Sequence, residues 1–361
     1  MIKKLCIFTS SFSPNKQAML DYLKKILPES VDAFLFTPRD FKGEYKTNKI
    51  KKIETNSSKF VSFLELRKFC RKNKIERIIN LGLLPYEGFA MIYACLSTKK
   101  DFIAYHLGNP IDSLYLDSFK MRLRAFFEII ISYSLSIFPK KIFLVSENQV
   151  KRIKKYLFFA RKKIFLMPQP VPTSFFKPKS KILCRKRLKL NPKDKIIIFV
   201  GRIGYLKGSD ILLYLIKTNP DKKFMLIGQI VDKGLEEQIK KLNFKNLVLI
   251  PHKNQEELVD YYNASDLCIF PSRIEGTPLV PREAMSCGTP AIVSKIQSTE
   301  SLKEAAIIIN LNAEKMNKAM NDFFNLSKKQ KKEISNKSRK FIVEKFDDEK
   351  WKEIYLSNFF D

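Results

Sequence analysis

The chain has 361 residues, of which 45% are hydrophobic and 29% charged, a balance that excludes a disordered protein and is typical of a globular one. This length favours two domains over a single core. The 67 Lys and Arg against 37 Asp and Glu give a formal charge of +30, so we expect anionic partners, unless the excess reflects only a Lys-rich composition.

Two further features bear on the compartment. The six cysteines form no C-x-x-C pair and lie mostly in apolar runs, as expected of buried thiols in a reducing compartment. The first apolar run is too short for a signal peptide. The longest, residues 125–138, contains Glu128 and falls short of the roughly 20 residues of a membrane span. We therefore expect a cytoplasmic protein, soluble or peripheral on the inner face of the cytoplasmic membrane.

Short runs rich in Ile, Val and Phe alternate with longer helical stretches in the first half of the chain, which predicts an α/β fold with a parallel sheet. The predicted strands are 4–10, 32–37, 77–82, 102–106 and 141–145. The predicted helices lie near 16–27, 57–73, 87–97, 117–137 and 147–160.

A proline-rich segment, 168–180, then interrupts the pattern and predicts an interdomain linker, because neither a helix nor a central strand tolerates its four prolines. The alternation resumes with predicted strands at 195–201, 223–228, 247–251, 267–271 and 290–294. The predicted domains are 1–170 and 171–345, two Rossmann-like domains facing across a cleft. The apolar stripe of 346–361 predicts a helix that packs back on the first domain.

The loop after the strand at 195–201 carries the first candidate site. Gly201, Arg202 and Lys207 lie between this strand and the next helix. A guanidinium fork, a mobile ammonium and helix N-terminal amides together suit a pyrophosphate. The alternative is a solvated basic turn.

A second loop, after the strand at 267–271, carries Glu275, and Glu283 follows eight residues later on the predicted helix. Thr277 is a predicted N-cap with Pro278 at the first helical position. The loop residues Gly276, Thr277, Pro278 and Leu279 lie where backbone amides at the helix start could face an anion. The alternative is that either glutamate is an ordinary surface carboxylate, Glu283 within a salt-bridged turn.

Together these segments resemble the retaining glycosyltransferases of family 4, whose frame PS-x-x-EG-x-P-x-x-x-x-EAM-x-x-G-x-P fits residues 271–290 without a gap. The segments 143–153, 168–178, 224–228, 246–251 and 256–272 are also similar to the family. The resemblance implies a GT-B fold with an acceptor-binding domain at 1–170 and a donor-binding domain at 171–345.

The resemblance also implies the roles of the site residues. Arg202 and Lys207 would hold the diphosphate of a UDP- or GDP-sugar, Glu275 would contact the sugar hydroxyls, and Glu283 would bind the ribose. Cations at the departing phosphate stabilise the charge that develops in the transition state. Since the chain has no D-x-D sequence, we expect no metal and no other cofactor.

His106 ends the strand at 102–106, on the side where a transferred sugar is expected. It would touch this sugar or aid proton transfer from the acceptor, or it would only cap a loop. Many family members have a Gly-rich turn after the first strand, but Ser11 to Asn15 contain no glycine. Lys16 is a candidate substitute for that turn.

The segment 118–141 mixes basic and apolar residues at helical spacing, which fits either a core helix with a solvated face or a helix lying on an anionic membrane. Residues 1–178 carry 33 Lys and Arg and 14 Asp and Glu, a net +19, which favours the membrane. The resemblance to glycosyltransferases implies a glycan or lipid-linked acceptor, in bacterial surface polysaccharide, lipopolysaccharide or glycoconjugate synthesis. The alternatives are a related epimerase, and a nucleic-acid-binding protein, against which the dispersed charge argues.

Overall fold

The structure is a computed structural model that describes residues 2–9, 14–37, 49–54, 62–81, 101–106, 123, 126, 137–296 and 298–360. The chain divides into two compact units. The first comprises Met1–Pro170 together with Glu349–Asp361, and the second comprises Val171–Asp348. The chain thus leaves the first unit, forms the second, and returns.

The first unit is built on a seven-stranded parallel sheet with the order β3-β2-β1-β4-β5-β6-β7. Its strands are β1 (Lys4–Phe8), β2 (Asp32–Thr37), β3 (Ile50–Glu54), β4 (Arg77–Leu81), β5 (Asp101–His106), β6 (Lys141–Leu144) and β7 (Ile164–Leu166). Its described helices up to Pro170 are α1 (Pro14–Ile26), α2 (Ser62–Lys72) and α3 (Glu147–Tyr156), followed by a 3-10 turn at Phe158–Lys163.

Apolar residues on both faces explain why these strands lie inside. In β1, Leu5 and Ile7 pack on the side of α1, whereas Cys6 and Phe8 pack on the side of α2. Burial of both faces makes a strand read as a continuous apolar run. The polar β3, IKKIE, lies at the sheet edge instead, where only one neighbour constrains it.

A helix from the end of the chain completes the first unit. This helix spans Asp348–Phe360, and its Tyr355 and Phe359 are fully buried in the core beside α1. Tyr355 Oη lies 2.8 Å from Tyr105 Oη and donates to Pro168 O at 3.1 Å. Buried Arg77 donates to the carbonyl of Phe359 at 2.8 Å, a favourable position for a cation because a helix C-terminus carries partial negative charge.

The second unit contains a six-stranded parallel sheet with the order β10-β9-β8-β11-β12-β13. Its strands are β8 (Ile196–Val200), β9 (Lys223–Ile227), β10 (Leu247–Ile250), β11 (Leu267–Phe270), β12 (Ala291–Ser294) and β13 (Ile307–Ile309). Its helices are α4 (Lys181–Arg187), α5 (Ser209–Thr218), α6 (Lys233–Leu242), α7 (Gln255–Ala264), α8 (Leu279–Ser286), α9 (Ala313–Asn325) and α10 (Lys328–Phe346). The helix Asp348–Phe360 is α11.

Helices cover both faces of this sheet. Ile196 and Ile198 of β8 pack with residues of α7, α8 and α10, while Ile197 and Phe199 pack with α5 and α9. This arrangement leaves only the loops at the two ends of the strands open to ligands, and the loops at the carboxyl ends are where such sheets bind them.

The predicted fold class, α/β with two Rossmann-like domains, is confirmed. The sequence prediction missed three strands, the polar β3 and the three-residue β7 and β13, and all three lie at sheet edges. Among the described residues, no helix combines the length and apolar character needed to cross a membrane.

Candidate functional site

The two candidate loops follow neighbouring strands, β8 and β11, and so meet at the carboxyl edge of the second sheet. Two glycines let the backbones approach. Gly208 has φ +75°, and a Cβ placed on it would lie 2.2 Å from the carbonyl oxygen of Pro271. A Cβ on Gly228, after β9, would lie 2.1 Å from the carbonyl oxygen of Gly201. No larger residue fits either place without displacing backbone.

Lys207 and Glu275 form an ion pair that joins the two loops. Lys207 belongs to a 3-10 turn, Tyr205–Lys207, and its ammonium lies 5.9 Å from the ring centroid of Phe270. The two side chains are 20% and 13% exposed. The structure therefore brings together two charges 68 residues apart in the chain, and both remain reachable from solvent.

Arg202 lies in the same loop as Lys207 but is exposed. Its guanidinium makes no hydrogen bond or ion pair with any described residue. Within the part of the chain that the structure describes, a ligand would displace no partner of this guanidinium. Gly201, before it, has φ +141°, which turns the chain out of β8.

Glu283 lies on α8 with only 7% of its surface exposed, so the alternative of a salt-bridged surface turn is wrong for this residue. The hydroxyl of Tyr262, itself fully buried, donates to Glu283 Oε2 at 2.8 Å. Burial raises the pKa of Glu283 from 4.5 to about 7, against the opposing effect of this hydrogen bond.

The start of α8 differs from the prediction by one residue. The helix begins at Leu279, and Pro278 occupies the N-cap position without a side-chain cap, so Thr277 is not the N-cap. The amide of Leu279 donates to the carbonyl of Thr277 at 2.9 Å. The Thr277 hydroxyl is buried without a hydrogen-bond partner, next to partly exposed Gly276.

Arg273 is a residue of this site that the sequence analysis did not single out. Its guanidinium donates to both carboxylate oxygens of Asp210, at 2.8 and 2.7 Å, and to the carbonyl of Tyr205 at 2.7 Å. It also lies 3.8 Å from the Tyr205 ring centroid. Arg273 thereby fastens the loop that carries Lys207 to the loop that carries Glu275. The only available signal was its place between Ser272 and Glu275 in the family frame.

The remaining candidates belong to the first unit. His106 is the last residue of β5, but its side chain lies outside the described residues. Ser11 to Ser13 and most of 118–141 also lie outside them. Lys16 is described and buried, and its ammonium donates to Thr9 Oγ1 at 2.9 Å. It thus contacts the chain immediately after β1.

Among the described residues, no group of three or more His, Cys, Asp or Glu is arranged to hold a metal ion.

Residues 181–341, less than half of the chain, match the family described as "Glycosyl transferases group 1". The predicted resemblance to family 4-like glycosyltransferases is thereby confirmed. The D-inositol 3-phosphate glycosyltransferase of Segniliparus rotundus is a relative with 31% identity over 165 residues, which span 42% of this chain and 37% of the relative. The chain therefore matches little more than a third of this relative's length.

Solved structures share the fold over nearly the whole chain. Sucrose-phosphate synthase from Thermosynechococcus elongatus superposes with a TM-score of 0.85 at 14% identity, covering 99% of this chain and 97% of the other. The Anabaena HepE protein, in complex with UDP and glucose, superposes with a TM-score of 0.78 at 13% identity, covering 99% of each chain. Both likenesses extend through the two units.

Proposed function

We propose that this protein is a retaining glycosyltransferase that transfers a hexosyl group from a nucleotide-diphosphate sugar. One observation carries the proposal: Lys207, Glu275 and an unpartnered Arg202 share one edge of the second sheet, with buried Glu283 on the following helix. Two cations for a diphosphate and two carboxylates for hydroxyl groups are the complementary chemistry for such a donor.

The ion pair between Lys207 and Glu275 defines what donor binding must change. When a diphosphate arrives, Lys207 turns from the carboxylate to the phosphate oxygens, and Glu275 becomes free to accept hydrogen bonds from the sugar. Arg202 contributes its planar fork to the same diphosphate. Lys207 and Glu275 thus each exchange their internal partner for a part of the donor.

The reaction follows from where charge develops. As the bond between the anomeric carbon and the diphosphate oxygen breaks, negative charge grows on the phosphate beside Arg202 and Lys207. Preorganised cations there lower the barrier. The acceptor oxygen then bonds to the same face of the sugar, and its proton passes to the departing phosphate oxygen. In this proposal the two side chains perform the work of a metal ion, and no metal or other cofactor takes part.

The donor is proposed to be a UDP- or GDP-sugar. Glu283 would accept hydrogen bonds from the ribose, and the UDP held by the Anabaena HepE protein supports a uridine nucleotide. Among Gly276 to Leu279, the amides of Gly276 and Thr277 just before α8 are proposed to contact the donor. Pro278 has no N–H, and the amide of Leu279 already donates to the carbonyl of Thr277.

The acceptor is proposed to be a glycan or lipid-linked molecule of bacterial surface polysaccharide, lipopolysaccharide or glycoconjugate synthesis, bound by the first unit with His106 near the transferred sugar. The net charge of +19 in residues 1–178 supports an anionic acceptor. The name of the Segniliparus relative includes inositol 3-phosphate, a phosphate-bearing molecule, which also supports it. We propose that the reaction takes place in the cytoplasm, at the inner face of the membrane.

The test is transfer of sugar from a donor first identified by a thermal-shift screen of UDP- and GDP-sugars. We expect Glu275→Gln and Arg202→Ala each to reduce turnover about 100-fold or more, as the loss of one preorganised group does elsewhere. Arg187→Ala, which removes an exposed arginine paired with Asp260, is the matched control and should leave turnover unchanged.

Wild-type turnover in both site variants would overturn the assignment of the site. Incubation with the donor alone separates transfer from epimerisation, since an epimerase changes the sugar without an acceptor. The anomeric configuration of the product, determined by NMR, tests retention.

A further inference from the structure

A cavity of about 580 Å³ lies within the second unit, at the amino edge of its sheet. Its floor contains Lys195, Asp266 and Pro290, which immediately precede β8, β11 and β12. Its walls come from α4 and the first turns of α10. The strands between this cavity and Glu275 are four or five residues long, a separation of about 15 Å, so the cavity is separate from the donor site.

The cavity is strongly basic. Nine of its lining side chains are Lys or Arg and two are Asp. Both carboxylates already have partners. Asp266 accepts from Lys181 at 2.7 Å, from Arg185 at 2.8 Å and from the amide of Ile196 at 2.8 Å, and Asp194 lies 3.5 Å from Lys223. The acidic groups are therefore not available to neutralise the remaining cations.

Five of the cations have no carboxylate partner among the described residues. Lys331 donates to the carbonyl of Phe324 at 2.7 Å, and Arg339 donates to the carbonyl of Phe176 at 3.0 Å. The other three, Lys193, Lys328 and Lys332, are exposed, and their ammonium groups make no hydrogen bond or ion pair with a described residue.

Three of these lysines lie on one face of α10, because Lys328, Lys331 and Lys332 are three and four residues apart. Like charges at this spacing repel one another and destabilise a helix. The repulsion persists in the free protein, and a polyanion in the cavity would remove it. The concave shape adds to the effect, since low-dielectric walls focus the potential of the charges that surround a cavity.

We propose that this cavity binds a ligand bearing two or more phosphate charges, as a second anion site on the reverse edge of the sheet. Lysines supply point charges to phosphate oxygens. Arg339, whose guanidinium donates to the carbonyls of Phe176, Ser286 and Thr173, adds positive potential. Phe323, Phe324 and Pro290 provide apolar wall beside them. The same chemistry occurs in free diphosphates and in the headgroups of anionic lipids.

The experiment titrates inorganic pyrophosphate into the full chain by calorimetry at 150 mM salt. We expect Lys328→Glu/Lys332→Glu to weaken binding at this site about tenfold or more, from the loss of two charge-assisted contacts and the added repulsion. The matched control, Lys241→Glu/Lys245→Glu, makes the same change of charge on exposed residues outside the cavity and should change the affinity less than about twofold, because such charges are screened.

A third variant, Arg202→Ala/Lys207→Ala, separates this proposal from that of the donor site. Pyrophosphate binding that persists in this variant and is lost in Lys328→Glu/Lys332→Glu supports the cavity. Equal weakening in both charge-reversal variants would show a diffuse charge effect, and loss of all binding with Arg202 and Lys207 alone would assign it to the donor site. Either result overturns the proposal. The melting temperature of Lys328→Glu/Lys332→Glu without ligand should not fall, which shows that the variant is folded.

Co-sedimentation with vesicles of phosphatidylglycerol and phosphatidylcholine distinguishes the two sources of phosphate. Binding that requires Lys328 and Lys332 and that pyrophosphate displaces identifies a lipid headgroup. Pyrophosphate binding that requires these lysines without vesicle binding identifies a free phosphate ligand.

Discussion

Glu283 is a buried carboxyl group whose charge depends on pH near neutrality. The pKa in the folded protein is about 7, against 4.5 when the group is solvated. Between these two pKa values the folded state binds a proton at Glu283 that the unfolded state does not. The contribution of Glu283 to stability therefore falls as the pH rises from 4.5 to about 7. Above pH 7 the full cost of a buried charge is present, roughly 3 kcal/mol from the difference in pKa.

Unfolding of the wild type and of Glu283→Gln in urea, at pH values from 5 to 8, measures this effect. The two proteins should have similar stability at pH 5, where Glu283 is protonated like an amide. The wild type should then lose stability relative to the variant until about pH 7. A constant difference across the range would contradict the assigned pKa. Tyr262→Phe, which removes the opposing hydrogen bond, should move the loss to higher pH.

Arg273 is expected to act as a positioning residue, since its guanidinium is engaged by Asp210 and by the carbonyl of Tyr205 in the loop that carries Lys207. Arg273→Ala should weaken donor binding about tenfold while costing only about 1 kcal/mol of global stability, because Asp210 is half exposed. Arg273→Lys should not restore binding, because an ammonium group cannot bridge both oxygens of Asp210 and stack on Tyr205.

Donor affinity by calorimetry and stability in urea are the two measurements for Arg273. The control is again Arg187→Ala, an exposed arginine with a single ion pair. Donor affinity equal to that of the wild type in Arg273→Ala would show that the loop holds its position without this clamp.

At the scale of the elements, the contact between the loop after β8 and the loop after β11 depends on Gly208. Gly208→Ala should destabilise the protein by more than about 2 kcal/mol, because it adds a left-handed alanine and a clash with Pro271. Gly234→Ala is the matched control. This glycine lies in α6, and a Cβ placed on it would lie 3.5 Å from Oδ1 of Asp232, which is an ordinary contact distance. The control should be neutral or stabilising.

Chemical denaturation measures both glycine variants. A Gly208→Ala protein as stable as Gly234→Ala would mean that the two loops can separate without cost, and the pairing of Lys207 with Glu275 would then not depend on their packing.

The hydrophobic pattern of the sequence predicts strands well where both faces of the strand are buried. β8 and β11 are continuous apolar runs, and their positions could be predicted within about a residue. β3 could not, because an edge strand with Lys51, Lys52 and Glu54 has the composition of a loop. The start of α8 was misplaced by one residue because Thr-Pro fits the common cap pattern, while the backbone of Pro278 takes the cap position instead.

The candidate site was predictable in part for a similar reason. Strand order places Arg202, Lys207 and Glu275 at one edge, and the family frame identifies Glu283. The burial of Glu283 beside Tyr262 and the clamp of Arg273 on Asp210 depend on side-chain contacts between segments 21 and 63 residues apart. No local pattern records such contacts.

At the scale of the whole molecule, α11 is part of the core of the first unit. A substitution that removes a buried side chain of α11 should therefore destabilise the first unit and not the second. Tyr355→Ala removes a fully buried ring and its contact with Tyr105 and should cost about 3 to 5 kcal/mol. Scanning calorimetry should show a transition of the first unit at lower temperature and an unchanged transition of the second. Ile354→Ala, at a residue 42% exposed, is the control.

A lowered transition of the second unit in Tyr355→Ala would contradict this expectation, as would an equal effect of the two substitutions.

The second unit begins and ends at one place. The amide of Val171 donates to the carbonyl of Phe346 at 2.7 Å, and the amide of Asp348 donates to the carbonyl of Val171 at 3.1 Å. Residues 171–348 are therefore an insertion into the first unit whose two ends are hydrogen-bonded to each other. During synthesis the whole of this insertion leaves the ribosome before α11 does. The first unit is therefore begun before the second but completed after it, because it needs α11. Because its two ends are adjacent, the insertion could be exchanged for the second unit of a relative with two junctions that lie next to each other.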